Sequence, residues 1–176
     1  SCPLLTRWTI PDLQAALADP APLFFILSNT RALPAPEAAA VVNEICQNLQ
    51  AALAMQPQAV LWVSRSDSTL RGHYPLETDV IAAQLGPFDA HFLIPAFFEG
   101  GRLTRDGVHY LKVNGVPTPV HQTEFARDSV FGYHHSYLPD YVAEKTQGRI
   151  PAPAVKRLDL TTLHSDRLDD WLTALQ

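Results

Sequence analysis

Arg71 follows Asp67 by four residues, with Ser66, Ser68 and Thr69 clustered around the acid and Gly72 behind the base. A carboxylate, three hydroxyls and a guanidinium in so short a run can bind an anionic, hydroxyl-rich ligand. Arginine grips carboxylate or phosphate through a planar fork of donors, and hydroxyls both give and accept hydrogen bonds. Asp67 is the candidate catalytic carboxylate. It can take a proton from a substrate alcohol or simply accept its hydrogen bond. The same residues also have a plain structural reading, in which Ser66, Ser68 and Thr69 cap a following helix and Asp67 holds the turn.

Two further runs have a similar character. Ser28-Asn29-Thr30-Arg31 and Pro95-Ala96-Phe97-Phe98-Glu99-Gly100-Gly101-Arg102 each bring an arginine with small or polar neighbours. Each of the three runs follows an apolar stretch: Leu23–Leu27, Ala59–Val63 and Ala90–Ile94. Such stretches read as buried strands. In an open parallel sheet, ligands bind beyond the carboxyl ends of the strands. The expected binding residues are therefore Ser28, Asn29, Arg31, Ser66, Asp67, Ser68, Thr69, Arg71, Gly101 and Arg102. His73, at the expected helix start, reads as an anion donor or a surface histidine. The pair His134-His135 has no metal-ligand spacing around it, and no metal site is expected. Cys46 reads as a small buried hydrophobe.

These stretches need elements to carry them. Helical patterns run over Ile10–Leu17, Glu37–Met55, Pro75–Leu85, Tyr137–Thr146 and Ser165–Leu175, with Val41, Ile45, Leu49 and Leu53 marking the apolar face of the second. Alternating with the apolar runs, they predict an α/β fold: a three-layer, mostly parallel Rossmann-like sheet with helices on both faces. Asn114-Gly115 between two alternating segments predicts a β-hairpin extension. Pro117 and Pro119, two apart, place the hairpin's second arm at a sheet edge.

Composition narrows the function. The chain of 176 residues is 47% hydrophobic and 18% charged, enough for one domain with a sizeable core. A net charge of -5 argues against a nucleic-acid partner. No apolar run approaches the length of a membrane span. Two cysteines make no disulfide framework, which fits a cytoplasmic location. There is no P-loop, no GxGxxG turn and no GxSxG elbow, so neither a nucleotide site nor a hydrolase triad is evident.

Several blocks, in order, resemble the four-carbon acid sugar kinase family. Asp67-Ser68-Thr69-Leu70-Arg71-Gly72 is similar to its DSTLRG motif. The run from Pro95-Ala96-Phe97 through Gly101-Arg102-Leu103-Thr104 to Asp106-Gly107-Val108-His109-Tyr110 resembles its PAF…GR.T..DGVHY block. Asn114-Gly115-Val116-Pro117 and Thr123-Glu124-Phe125-Ala126-Arg127-Asp128 resemble the next two. The resemblance extends from about residue 23 to 145. It implies the sugar-acid-binding N-terminal part of a kinase that phosphorylates threonate, erythronate or 3-oxo-tetronate type acids on a terminal hydroxyl. It implies ATP and Mg²⁺ in the parent enzyme, bound mainly by a separate C-terminal domain that is also this domain's partner. Residues 1–176 then form a single sugar-acid-binding domain, a fragment of that parent. The family's front acidic DD.TGA-type motif has no match upstream of Leu23, where the only acids are Asp12 and Asp19. The chain alone is thus expected to be inactive. The alternative is a non-catalytic sugar-acid-binding or sensing module.

Overall fold

The computed structural model describes residues 2–175, which fall into two compact units. The first runs to Arg65 and adds His73–Pro87; the second combines Ser66–Gly72 with the chain from Phe88 onward.

In the first unit, helix α1 (Ile10–Ala18) starts where Thr9 and Asp12 close its N-terminus. Asp12 N donates to Thr9 Oγ1 at 3.4 Å, and the Thr9 hydroxyl donates to Asp12 Oδ2 at 2.6 Å. Pro11 fits this first turn because a first-turn N–H has no helical partner to lose. Helix α2 (Ala35–Met55) also begins on prolines. Its buried stripe is Ala38, Val42, Cys46, Leu49 and Ala52. Of the expected face, Leu49 is buried and Leu53 packs on the core, whereas Val41 and Ile45 are half-buried and their neighbours Val42 and Cys46 are buried instead. Leu13, Leu49 and Ala52 form the core, walled by Leu5, Trp8, Phe24, Ile26 and Trp62. Helix α3 (Leu76–Leu85) packs on α2. Strands β1 (Leu4–Leu5) and β2 (Phe25–Ile26) pair in parallel, Leu4 with Phe25 and Leu5 with Ile26.

The second unit carries a three-stranded antiparallel sheet in the order β3 (Arg102–Arg105), β4 (Val108–Val113), β5 (Val116–Pro119). Asn114 and Gly115, both at positive φ, turn β4 into β5 with Val113 opposite Val116. That geometry suits the twist of a two-residue hairpin. Strand β5 lies at the edge, where its prolines sacrifice no interior ladder bond. Helix α4 (Leu138–Lys145) supplies Leu138, Tyr141 and Val142 to a core with Val120, Ala126, Phe131 and Tyr133. Two short helices, α5 (Leu160–Leu163) and α6 (Leu168–Thr173), follow. The last is shorter than the predicted Ser165–Leu175.

The expected mostly parallel sheet reduces to the β1–β2 pair, and the larger sheet is antiparallel. Ala59–Val63 and Ala90–Ile94 form no strand. A strand exists only as a member of a ladder, and these runs find none among the described residues. Several of their side chains face water, Leu61 at 91% and Ile94 at 79% exposure, while Trp62 turns in to wall the core. No helix among the described residues is long and apolar enough to cross a membrane.

Candidate functional site

Residues 66–72 form a tight loop in the second unit. Leu70 N donates to Asp67 O at 3.1 Å, which closes a turn. Leu70 takes φ +64°, a left-handed conformation costing roughly 1–2 kcal/mol for a residue with a Cβ. Non-glycine residues persist there only where the surroundings enforce it, and such positions gather at functional sites. The Ser66 hydroxyl reaches Arg71 O at 3.5 Å across the base of the loop. A Cβ on Gly72 would lie 2.1 Å from that same hydroxyl, so a larger residue here would turn the Ser66 side chain away from Arg71 O.

Within the loop, Asp67, Thr69 and Arg71 lock together. Asp67 Oδ2 accepts from Thr69 N at 3.3 Å, from the Thr69 hydroxyl, and from Arg71 Nε at 3.0 Å. Arg71 Nε also lies 3.0 Å from Thr69 Oγ1. Burial pushes the Asp67 carboxyl up, but the bonds from Thr69 and Arg71 and the guanidinium charge outweigh it. The net result is a carboxylate below its ordinary range, a weak base and a firm hydrogen-bond acceptor. The Arg71 guanidinium lies over the Phe125 ring, 4.6 Å from its centroid. That stacking holds the planar fork in one orientation.

Gly101 and Arg102 sit on a second turn of the same unit. Phe97 and Arg102 exchange backbone bonds at 2.9 and 2.8 Å, and Gly100 and Gly101 fill the turn between them. Gly101 has φ +72°, and a Cβ there would come 2.9 Å from Lys112 Cβ. A Cβ on Gly100 would meet Arg102 Nη1 at 2.2 Å. Glycine thus clears the path that lays Arg102 over Phe97, at 5.5 Å. Arg102 Nε is a buried donor without a hydrogen-bond partner. Leaving a charged donor unpaired is costly unless something else satisfies it.

The first unit holds the remaining expected residues. Asn29 is exposed at φ +52°, and Arg31 is exposed beside it. Ser28 Oγ and Thr30 Oγ1 are 3.3 Å apart, and the Thr30 hydroxyl donates to Glu77. His73 corrects the sequence reading. It is neither a surface histidine nor an anion donor at a helix start. It is buried, and Nε2–H donates to Thr30 O and Leu33 O at 3.1 and 3.0 Å, tying down the 30–33 turn. Nor do Ser66, Ser68 and Thr69 cap a helix: α3 begins at Leu76 behind Pro75, with no side-chain cap bond. His134 is exposed and faces Glu144 at 2.8 Å. Among the described residues, no group of three or more His, Cys, Asp or Glu could hold a metal ion.

Spacing did not reveal four contributors. Phe125 lies under Arg71, and His109, Tyr133 and Tyr141 reach the backbone of the 68–70 turn. His109 and Phe125 do fall inside blocks that carried the family resemblance, which was the available signal.

The family described as sugar-binding N-terminal domain matches residues 4–176. A D-erythronate kinase from Heliobacterium modesticaldum is 35% identical over 133 residues, covering 74% of this chain and 28% of that protein. A D-threonate kinase from Bordetella bronchiseptica is 30% identical over 175 residues, covering 94% of this chain and 41% of that one. A crystal structure from Bordetella bronchiseptica, described as a domain of unknown function with bound citrate in a domain-swapped dimer, aligns with a TM-score of 0.57. It is 31% identical and covers 81% of this chain and 34% of its own. The chain thus spans less than half the length of these relatives.

Proposed function

The chain belongs to the sugar-binding N-terminal domain family, and on that premise we propose that it is the acid-recognising domain of an ATP-dependent kinase acting on a four-carbon sugar acid. The substrate is of threonate, erythronate or 3-oxo-tetronate type, phosphorylated on a terminal hydroxyl. The observation that carries this reading is the locked Asp67–Thr69–Arg71 loop stacked on Phe125. It combines a fixed cationic fork with hydroxyls and a carboxylate that are already ordered. The kinase names of two relatives favour this over a sensing module without phosphoryl transfer.

Arg71 holds the substrate carboxylate, with Arg102 as a second cationic contact and the Gly101 backbone beside it. Ser66, Ser68 and Thr69 order the substrate hydroxyls. Asp67 orients Arg71 and accepts from an alcohol. Its lowered basicity makes it a poor proton acceptor near neutral pH. Binding of this kind accelerates phosphoryl transfer by fixing the reacting hydroxyl, since that chemistry rests on positioning and electrostatics.

These residues do not fit a magnesium site. The loop's single carboxylate already engages Arg71 through Oδ2, and a neighbouring guanidinium repels a cation. Mg²⁺ and ATP therefore belong, in this reading, mainly to the remainder of the longer parent protein.

Titration calorimetry of D-threonate and D-erythronate into the 176-residue chain tests the assignment. Binding of one acid is expected, weakened about ten- to hundredfold by Arg71→Ala, as for loss of a charge-assisted hydrogen bond. Absence of binding, or binding untouched by Arg71→Ala, would sink it.

A further inference from the structure

Three consecutive backbone carbonyls of the 67–71 loop are each held by a different buried side chain. His109 Nε2 lies 2.7 Å from Ser68 O, the Tyr133 hydroxyl 2.7 Å from Thr69 O, and the Tyr141 hydroxyl 3.2 Å from Leu70 O. The three anchors come from three places in the second unit: β4, the segment before α4, and α4 itself. They stand 41, 64 and 71 residues from their carbonyls. All three are almost fully buried. His109 faces a carbonyl through Nε2, so that nitrogen carries the proton; Nδ1 meets Thr104 Oγ1 at 2.9 Å, which fixes the ring plane. Tyr133 and Tyr141 meet edge to face, with ring centroids 5.7 Å apart, so each also orients the other. Burial first, and the charge of Asp67 second, raise the Tyr133 phenol far above its ordinary value, so it remains an O–H donor.

We propose that His109, Tyr133 and Tyr141 are positioning residues that hold the 67–71 loop in its ligand-ready shape before any ligand arrives. The proposal rests on the sugar-acid reading of that loop. The left-handed Leu70 is the reason anchors are needed: a turn that is costly by itself relaxes unless its carbonyls are pinned. Relaxation would separate Asp67, Thr69 and Arg71, whose mutual bonds require that turn. A loop that is only partly populated in the competent shape binds more weakly in proportion to the lost population. Because three anchors share the task, one deletion is buffered by the other two.

The test joins amide hydrogen exchange with calorimetry on the 176-residue chain, using D-threonate and D-erythronate as probes. The variants are Tyr133→Phe, Tyr141→Phe and the two combined. Exchange of the 66–72 amides should rise at least fivefold in the pair, with β3–β5 unchanged. The dissociation constant should rise about two- to fivefold in each single variant and tenfold or more in the pair. His109→Gln, which keeps a donor near Nε2, should stay nearer wild type than His109→Ala. A purely structural role lowers the melting temperature and leaves affinity alone. A folded double variant with wild-type affinity, or with unchanged loop exchange, overturns the positioning role while leaving the sugar-acid reading standing. If wild type binds neither acid but loop exchange still rises in the variants, the sugar-acid reading fails and the anchoring stands.

Discussion

Asp67→Asn separates the charge of the loop's carboxylate from its shape. Asparagine has nearly the same size and keeps an acceptor oxygen, so the bonds from Thr69 survive in neutral form. What is lost is the ion pair with Arg71, whose Nε lies 3.0 Å from Oδ2, with the Arg and Asp side chains 26% and 17% exposed. A hydrogen bond to a charged group contributes about 1.5–3 kcal/mol, and a neutral one about 0.5–1.5. The difference, reduced for solvent screening of a partly exposed pair, is about 1 kcal/mol. Asp67 titrates below its ordinary 3.8 in the folded chain. Its contribution is therefore present in full above that ordinary value, and is lost as pH falls through the lower folded value. Urea unfolding of both proteins, from pH 7 down to the lowest pH at which both remain folded, should show a gap of about 1 kcal/mol that closes toward acid. A gap absent at pH 7, or one that widens toward acid, would refute the reasoning.

Phe125→Leu keeps an apolar contact under Arg71 but removes the ring. A partly exposed cation–π contact contributes about 0.5–1 kcal/mol, so sugar-acid affinity should fall roughly two- to fivefold by calorimetry, with little change in melting temperature. Gly101→Ala must adopt φ +72° and displace Lys112, so it should destabilise the second unit by about 1–2 kcal/mol in thermal unfolding; an unchanged midpoint would contradict the turn geometry.

What could be read from the sequence was what depends on near neighbours. Pro11 and Pro36 mark the starts of α1 and α2, and Asn114-Gly115 sets the hairpin, because caps and turns are decided within a few residues. Ala59–Val63 and Ala90–Ile94 were apolar enough to be strands. Apolar composition, however, does not supply a ladder partner, and the described residues offer none. The Asp67–Arg71 pair lay within reach of spacing alone. Its platform, Phe125, and the three carbonyl anchors did not, since each contact joins residues more than forty apart in the chain. His73 was misread for the same reason: its partners, Thr30 and Leu33, come from a distant turn.

The central claim is that the 66–72 loop grips the sugar acid. A titration of the isotope-labelled chain with D-threonate or D-erythronate, followed by amide chemical shifts, tests it most directly. The account predicts saturable shifts concentrated at residues 66–72 and around Gly101 and Arg102, with the titration midpoint moved about ten- to hundredfold higher by Arg71→Ala. Shifts centred elsewhere, for example on His134 and Glu144, or a loop that does not respond while the acid binds, would contradict it.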